Sequence, residues 1–225
     1  MGGVIFDLNG TLFWDSKYQE ISWDKYLPTH NISLTMPEKK EYIHGRNSKD
    51  TFEFLFKRKL DDWEIEKYSE EKEVFYRREC LKHEMKIAPG AEAFLKHLKN
   101  LRIPMAIATA SGKSNIDFFI EKLNLLHYFN EENIIYNDGK IKGKPHPDLF
   151  EKALFTLGVE KSKSVIFEDS FSGIQAAMNT NVPNIIIVNS TKEDYSKYSF
   201  PVIEHFDQVN RDAITYKVMH SHEPC

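Results

Sequence analysis

The sequence predicts an α/β fold built on a parallel sheet, with an all-helical segment inserted near its beginning. Two observations carry this prediction. Short apolar strands alternate with amphipathic helices from about residue 89 onward. Residues 14–85 are richer in charged and aromatic residues, and the dominant spacing there is helical. Strands separated by helices are typical of parallel sheets with crossover helices. A chain of 225 residues is long enough for one domain that carries a substantial insertion.

The first predicted strand is Val4-Ile5-Phe6, which leads directly into Asp7 and an Asn9-Gly10 turn. A short apolar run of this kind is typical of a buried strand in a parallel sheet. Such sheets bind ligands beyond the carboxyl ends of their strands, so we expect Asp7 at the mouth of a cleft, beside the amides of the turn. The alternative is a β-hairpin, because Asn-Gly between apolar runs also indicates a hairpin.

The inserted segment is predicted to be helical throughout, apart from a break at residues 28–37 that is bounded by two prolines. Apolar residues at helical spacing predict helices at residues 18–26, 51–60 and 61–84. The apolar stripe of these helices is thin, which suits a lid better than a core. Their runs of charge are interpreted as solvated helix faces.

The second part of the chain shows a regular alternation of helices and strands. Pro147 in a first turn and Gly158 just past a helix end are the expected arrangement. The final residues, 216–225, lack periodicity and are expected to be loosely held. The predicted elements are helix 91–101, strand 103–108, helix 113–123, strand 134–136, a helix from 147 to 157, strand 164–167, helix 173–180 and strand 184–188.

Composition excludes several classes of partner. A net charge of -4 gives no electrostatic reason to bind nucleic acid or an anionic membrane. No apolar run approaches the length of a membrane span, and the N-terminus lacks the pattern of a signal peptide. The two cysteines, Cys80 and Cys225, have no metal-ligand spacing, which favours a reduced, cytoplasmic setting.

Polar side chains follow the predicted strands at four places, namely Asp7, Thr109, Lys144 and the pair Glu168-Asp169. Parallel, adjacent strands would bring these positions to one edge of the sheet. Carboxylates that close together would repel one another unless a hard cation such as Mg²⁺ lay between them. Lys144 can place a point charge on a phosphoryl oxygen. Together these groups suit phosphoryl transfer to a carboxylate nucleophile.

Each of these residues also has a simpler interpretation. Thr109 is an ordinary β-former, Lys144 an ordinary loop lysine, and Glu168-Asp169 an acidic pair that favours a helix N-terminus. Their order and joint placement at strand ends favour the functional interpretation.

The same stretches resemble the four motifs of the haloacid dehalogenase superfamily, in particular its β-phosphoglucomutase-like subgroup. The resemblance covers nearly the whole chain. It implies a Rossmann-like core at 1–13 and 86–225, a helical cap at 14–85 that closes over the substrate, and Mg²⁺-dependent phosphoryl transfer through an aspartyl-phosphate. The matching stretches are Asp7-Leu8-Asn9-Gly10-Thr11, Ile107-Ala108-Thr109, the segment 143–148 (GKPHPD) and the segment 167–177 (FEDSFSGIQAA).

The resemblance also implies a role for each matched residue. Asp7 would be the nucleophile and a metal ligand, and Asn9 would bind the metal through its backbone carbonyl. Asp169 would complete the metal site, with Glu168 beside it. The residues implied to hold the phosphoryl group are Leu8, Thr109, Ala110 and Lys144, of which Lys144 is also counted with Asp7 and Asn9 as catalytic.

Four cap residues are candidates for substrate binding. Gly45-Arg46 resembles the substrate-specificity loop of the family, although Arg46 is equally explained as a surface arginine. Lys49 and Gln19 are expected to shape the same pocket. Gln19 stands where the mutase-type cap carries a histidine, which argues against a mutase.

Asn9 departs from the family pattern in a way that affects catalysis. Phosphatases and mutases of the superfamily have a second aspartate at this position, which protonates the leaving group and then activates water. An amide cannot exchange that proton. General acid-base catalysis contributes about 10²- to 10⁴-fold, so we expect a barrier higher by roughly 3 to 5 kcal/mol.

The leading hypothesis is a Mg²⁺-dependent phosphatase of a small phosphorylated metabolite, such as a sugar phosphate, that is weakened by Asn9. We expect a cytoplasmic monomer that binds neither nucleic acid nor membranes. One alternative is a β-phosphoglucomutase-like isomerase, and another is a catalytically weakened protein that binds a phosphorylated metabolite.

Overall fold

A computed structural model describes residues 1–43 and 48–220 of the chain. The chain divides into two compact units. The first unit combines Met1–Trp14 with the chain from Lys86 onward, and the second is Asp15–Met85. The second unit therefore begins one residue later than the predicted cap, and its role as a cap stays a prediction.

The first unit contains a parallel sheet whose strand order is β3-β2-β1-β4-β5-β6 in the described residues. β1 pairs in parallel with β2 on one side and β4 on the other, so the hairpin alternative for the first strand is wrong. The predicted α/β fold with a parallel sheet is confirmed. The strands are β1 (Val4–Phe6), β2 (Met105–Ala108), β3 (Ile134–Ile135), β4 (Val165–Glu168), β5 (Asn184–Val188) and β6 (Val202–Ile203).

The helices divide between the units, with the first four in the second unit and the others in the first. None of the helices that the structure describes is both long and apolar enough to span a membrane. The helices are α1 (Ser16–Tyr26), α2 (Met36–Tyr42), α3 (Ser48–Phe56), α4 (Asp62–Cys80), α5 (Ala91–Asn100), α6 (Lys113–Lys122), α7 (Asp148–Leu157), α8 (Phe171–Asn179) and α9 (Arg211–Met219).

The sheet is buried on both faces, which is why its strands are continuous apolar runs. On one face Ile5 belongs to a cluster that includes Leu149 and Phe150 of α7. On the other face Phe6 stacks on Phe167, with ring centroids 5.1 Å apart, among further aromatic rings. Because successive residues of β1 point to opposite faces, this one strand connects both halves of the core.

The second unit has a core of its own, formed where the helices of residues 15–85 meet. Its buried members are largely aromatic, with Trp23, Tyr26 and Phe52 in mutual contact. α4 begins with a capping box in which Asp61 and Glu64 each accept from the other's backbone N–H. The thin apolar stripe predicted for these helices is therefore enough to form a small helical core.

Three elements of the second unit differ from the prediction, and one of them is α4, which ends at Cys80 instead of residue 84. The expected break at 28–37 contains the start of α2, which opens with a Thr35 capping box and carries Pro37 in its first turn. Proline is well tolerated there, because first-turn N–H groups have no helical partner. α3 ends at Phe56 instead of residue 60, since Lys57 adopts a left-handed backbone with φ of 53°.

Two elements of the first unit were absent from the prediction. β6 is only two residues long and has too little pattern to be predicted. α9 begins after Asn210, whose side chain accepts from the N–H of Ala213. Val218 of this helix is fully buried, so the expectation of a loosely held segment is wrong for residues 216–219.

Tyr26 offers a test of packing in the second unit. Its side chain is 1% exposed, and its hydroxyl has no hydrogen-bond partner among the residues that the structure describes. An unsatisfied buried hydroxyl is destabilising, so we expect Tyr26→Phe to raise the free energy of unfolding by about 1 kcal/mol. The measurement is urea-induced unfolding followed by circular dichroism.

Tyr76→Phe is the matched control, because its hydroxyl donates to Asp15 Oδ2 at 2.6 Å. Losing that buried hydrogen bond should lower the free energy of unfolding by about 1 to 3 kcal/mol. A destabilisation of equal size in both variants would contradict the account of Tyr26.

Candidate active site

The end of β1 places Asp7 at the carboxyl edge of the sheet, between the ends of its two neighbouring strands. The Asp7 N–H donates to the carbonyl of Phe167 at 2.9 Å. The chain then turns at Gly10, which has φ of 83° and whose N–H donates to the Phe13 carbonyl at 2.7 Å. A Cβ on Gly10 would lie 2.0 Å from Asp169 Oδ2, so only glycine lets this turn approach the acidic group.

Lys144 reaches the same edge from the segment before α7. Its Nζ lies 2.5 Å from Asp7 Oδ1 and also donates to Glu168 Oε1. The Lys144 side chain is only 6% exposed, and its Nζ lies 4.9 Å from the centroid of the Phe150 ring. The ammonium group therefore bridges two buried carboxylates instead of extending into solvent.

Three carboxyl groups meet beside this lysine. Asp7, Glu168 and Asp169 each offer a carboxylate oxygen, and these oxygens lie within 4.8 Å of one another. Asp7 Oδ2 is buried and has no hydrogen-bond partner within the described ranges 1–43 and 48–220. No donor compensates the charge of that oxygen, and carboxylates are the ligands that Mg²⁺ prefers in proteins, so the cluster as a whole fits a hard cation.

Burial and mutual repulsion both shift the pKa values of the carboxyl groups in this cluster. Burial raises the pKa of Asp7 to about 7, Glu168 adds to that rise, and Lys144 opposes it. Burial, followed by the charges of Glu168 and Asp7, also raises the pKa of Asp169 well above its usual range. Although burial favours a neutral amine, the two carboxylates raise the pKa of Lys144, which stays protonated. One ammonium group leaves the three carboxyls short of positive charge.

The start of α8 holds Glu168 in place. The backbone N–H of Ser170 donates to Glu168 Oε2 at 2.7 Å, and the Ser170 hydroxyl does so at 3.1 Å. The same hydroxyl caps α8 by accepting from the N–H of Gly173 at 3.0 Å. A Cβ on Gly173 would lie 1.8 Å from Glu168 Oε1, so the helix can pack this closely only at a glycine.

Asn9 makes its contacts with the residues that follow β2. Its Oδ1 accepts from the Ser111 hydroxyl at 2.8 Å and from the Thr109 hydroxyl at 3.4 Å. The Ser111 N–H in turn donates to Thr109 Oγ1 at 3.1 Å. Ala110 between them is exposed, whereas the Leu8 side chain is fully buried, so only backbone atoms of Leu8 could meet a ligand.

The structure thus brings together the core residues that the sequence singled out. Their assigned roles stay predictions. Two further contributors received no role from the sequence. Ser111 orients Asn9, and the Thr11 hydroxyl donates to Asp169 Oδ1 at 3.1 Å. Local patterns do point to both, because Ser111 follows Thr109 at the end of the same strand and Thr11 lies inside the first matched motif.

The structure gives less information on the four residues that were predicted to bind substrate from the cap. Gly45 and Arg46 lie outside the described residues, and Lys49 is exposed in the first turn of α3. The Gln19 side chain donates to Asp15 Oδ2 at 3.2 Å and accepts from Lys72 Nζ. Gln19 is therefore held by buried polar groups of its own unit.

The chain belongs to the haloacid dehalogenase-like hydrolase family, whose sequence pattern it matches over residues 4–187. It is 32% identical to a HAD hydrolase of family IA, variant 3, from Entamoeba histolytica. That crystal structure superposes with a TM-score of 0.89 and covers 98% of this chain and 100% of its own. The predicted family is confirmed.

The chain is also similar to two further proteins. It is 28% identical over 197 residues to the phosphorylated carbohydrates phosphatase of Thermotoga maritima, covering 82% of this chain and 84% of the relative. The β-phosphoglucomutase structure from Clostridium difficile has a TM-score of 0.74, with 97% of each chain covered. Its identity of 22% is low, so this second likeness concerns the fold alone.

Gly173→Ala tests the close packing of α8 on Glu168. The Glu168 carboxylate could avoid the new methyl group only by leaving Lys144 and Ser170, which bind it on either side. We expect the free energy of unfolding to fall by about 1 to 3 kcal/mol, measured by urea denaturation. A Cβ on Gly143, beside Lys144, would meet nothing within 4 Å, so Gly143→Ala is the control. Similar losses in both variants would contradict this account.

Proposed function

We propose that this chain is a Mg²⁺-dependent phosphatase of a small phosphorylated metabolite, of the sugar phosphate class, that acts through an aspartyl-phosphate at Asp7. The observation that carries the proposal is Asp7 Oδ2, a buried carboxylate oxygen with no hydrogen-bond partner in the described chain. Lys144 holds the other oxygen of that carboxylate, so Oδ2 is the one left to react. Similarity to a phosphatase of phosphorylated carbohydrates supports the substrate class.

The acidic cluster supplies the ligands for the metal. Asp7 and Asp169 would hold Mg²⁺, with Glu168 beside them and the backbone carbonyl of Asn9 as a further ligand. When bound, Mg²⁺ neutralises the oxygens of the transferring phosphoryl group. The fit rests on three clustered carboxyl groups, of which Asp7 and Glu168 are buried and share the one ammonium group of Lys144.

In the first half-reaction, Asp7 Oδ2 attacks the phosphorus and forms a new Oδ2–P bond. The bond between phosphorus and the leaving oxygen breaks, and its electron pair stays with that oxygen. The leaving oxygen then takes a proton from water, because the Asn9 amide has none to give. Lys144 keeps the carboxylate oriented throughout by its bond to Oδ1.

In the second half-reaction, water attacks the phosphorus of the aspartyl-phosphate. The P–Oδ2 bond breaks, inorganic phosphate leaves, and the Asp7 carboxylate is regenerated. The proton of the attacking water passes to bulk water, where it neutralises the hydroxide left by the first half-reaction. An aspartate at position 9 would accept that proton directly, whereas the amide of Asn9 cannot. Both half-reactions therefore lack general acid-base assistance from this position.

Asn9→Asp tests the proposal directly. We expect phosphate release from a panel of sugar phosphates with Mg²⁺ to rise by about 10²- to 10⁴-fold, because the acid-base group is restored. Asp7→Asn is the matched control and should abolish turnover in both backgrounds, as should removal of Mg²⁺ with a chelator.

Two outcomes would redirect the proposal. If the chain and its Asn9→Asp variant both stay inactive while both bind Mg²⁺ and phosphate, the phosphatase proposal is abandoned in favour of a binding function. Conversion between sugar phosphate isomers that depends on a bisphosphate and releases no phosphate would instead identify an isomerase.

The missing proton donor also predicts a dependence on the leaving group. A phenolate can leave without protonation, whereas a sugar alkoxide needs a proton as the bond breaks. For each variant we would measure kcat/KM with p-nitrophenyl phosphate and with a sugar phosphate. The kcat/KM for p-nitrophenyl phosphate divided by that for the sugar phosphate should fall by about 10²-fold or more on Asn9→Asp. The reason is that only the sugar alkoxide, the poorer leaving group, gains from the acid. An unchanged ratio would show that position 9 does not act on the leaving group.

A further inference from the structure

Tyr195 links a distant segment to the acidic cluster. It lies between β5 and β6, and its hydroxyl donates to the main-chain carbonyl of Asp169. The side chain is 6% exposed and packs with Ile174 of α8 and Ile187 of β5 in a small buried cluster. The hydroxyl is therefore presented to Asp169 by a ring that is itself fixed in the core.

The peptide bond between Asp169 and Ser170 is held from both sides. Its carbonyl accepts from Tyr195, and its N–H donates to Glu168 Oε2 at 2.7 Å. A third contact, from the Thr11 hydroxyl, holds Asp169 Oδ1. These bonds fix the peptide plane between Asp169 and Ser170 and bind one carboxylate oxygen each of Glu168 and Asp169, so the direction of both carboxylates depends on them.

The segment that carries Tyr195 is folded on itself and against α8. Asn189 and Glu193 exchange two hydrogen bonds, of 3.0 and 2.9 Å, just before Tyr195. The Tyr195 ring lies 5.2 Å from the ring of Phe171, the first residue of α8. The Lys197 ammonium lies 4.4 Å from the centroid of the same Phe171 ring. These contacts hold the segment in a fixed position, which a positioning role requires.

We infer that Tyr195 is a positioning residue that sets the affinity of the acidic cluster for Mg²⁺ through the backbone of Asp169. The inference rests on the proposed function, since it assigns Asp169 to the metal. Partners of this kind, which bind a ligand residue and not the metal, contribute about 10- to 100-fold to metal affinity. Without the Tyr195 hydroxyl the peptide loses one of its two anchors, and the Thr11 contact alone is left to direct the Asp169 carboxylate.

The test is a calorimetric titration of the full chain with Mg²⁺, comparing the unmodified protein with Tyr195→Phe. This variant keeps the ring and its packing and removes only the hydroxyl. We expect the Kd for Mg²⁺ to rise by about 10- to 100-fold. The matched control is Tyr198→Phe, whose ring lies 6.5 Å from that of Tyr195 and whose hydroxyl loss leaves the Asp169 contact intact. Its Kd should not change.

A rescue separates positioning from a general loss of structure. Replacing Tyr195 with p-aminophenylalanine supplies an N–H donor at the same place and should restore most of the affinity. Unfolding temperatures are measured for every variant, and the titrations are made well below the lowest of them. Weak binding that the amino group does not rescue would assign the effect to packing and overturn the inference.

The remaining outcomes distinguish this inference from the proposed function. If the unmodified chain binds Mg²⁺ and Tyr195→Phe binds it equally well, the positioning role is wrong while the proposed function stands. If the unmodified chain binds no Mg²⁺ at all, both are overturned together.

Discussion

The structure of the site depends on one buried ammonium group, that of Lys144, placed between the carboxylates of Asp7 and Glu168. Removing one partner of a buried ion pair costs roughly 3 to 5 kcal/mol, because the remaining charge is left without compensation. The sheet order is what makes the pairing possible, since β1 lies beside β4 with Phe6 paired to Phe167, so that Asp7 and Glu168 follow side by side. The strand order and the charge pairing of the cluster therefore depend on each other at the carboxyl edge of the sheet.

Close approach of the backbone positions many of the groups around that ion pair. Gly10 and Gly173 let two separate turns approach the carboxylates more closely than any residue with a Cβ would allow. Ser170 joins the first turn of α8 to Glu168, and Tyr195 joins the segment after β5 to the Asp169 carbonyl. The Thr11 hydroxyl holds the Asp169 carboxylate itself. Glu168 and Asp169 thus each have an anchor, which keeps like charges together where solvent screening is weak.

The second unit shows a different use of buried polar groups. Asp15 accepts from Tyr76 and from Gln19, and Gln19 also accepts from Lys72, which is almost fully buried. This network joins α1 to α4. Gln19 was singled out for substrate binding, but its contacts in the described chain are those of a residue that holds two helices together. Any role it has in binding would be added to that structural one.

The sequence by itself determined the order of most helices and strands, the family, and the core residues that meet at the sheet edge. It could do so because periodicity and turn residues are local, and because parallel strands bring their carboxyl ends to one edge. Only the tertiary structure decided the contacts that orient those residues. Thr11 reaches Asp169 across 158 residues, Ser111 reaches Asn9 across 102, and Tyr195 reaches Asp169 across 26. No local pattern encodes such pairs, because they exist only once packing has brought the segments together. The same holds for β6, which is too short to have a period and is defined by its pairing with β5.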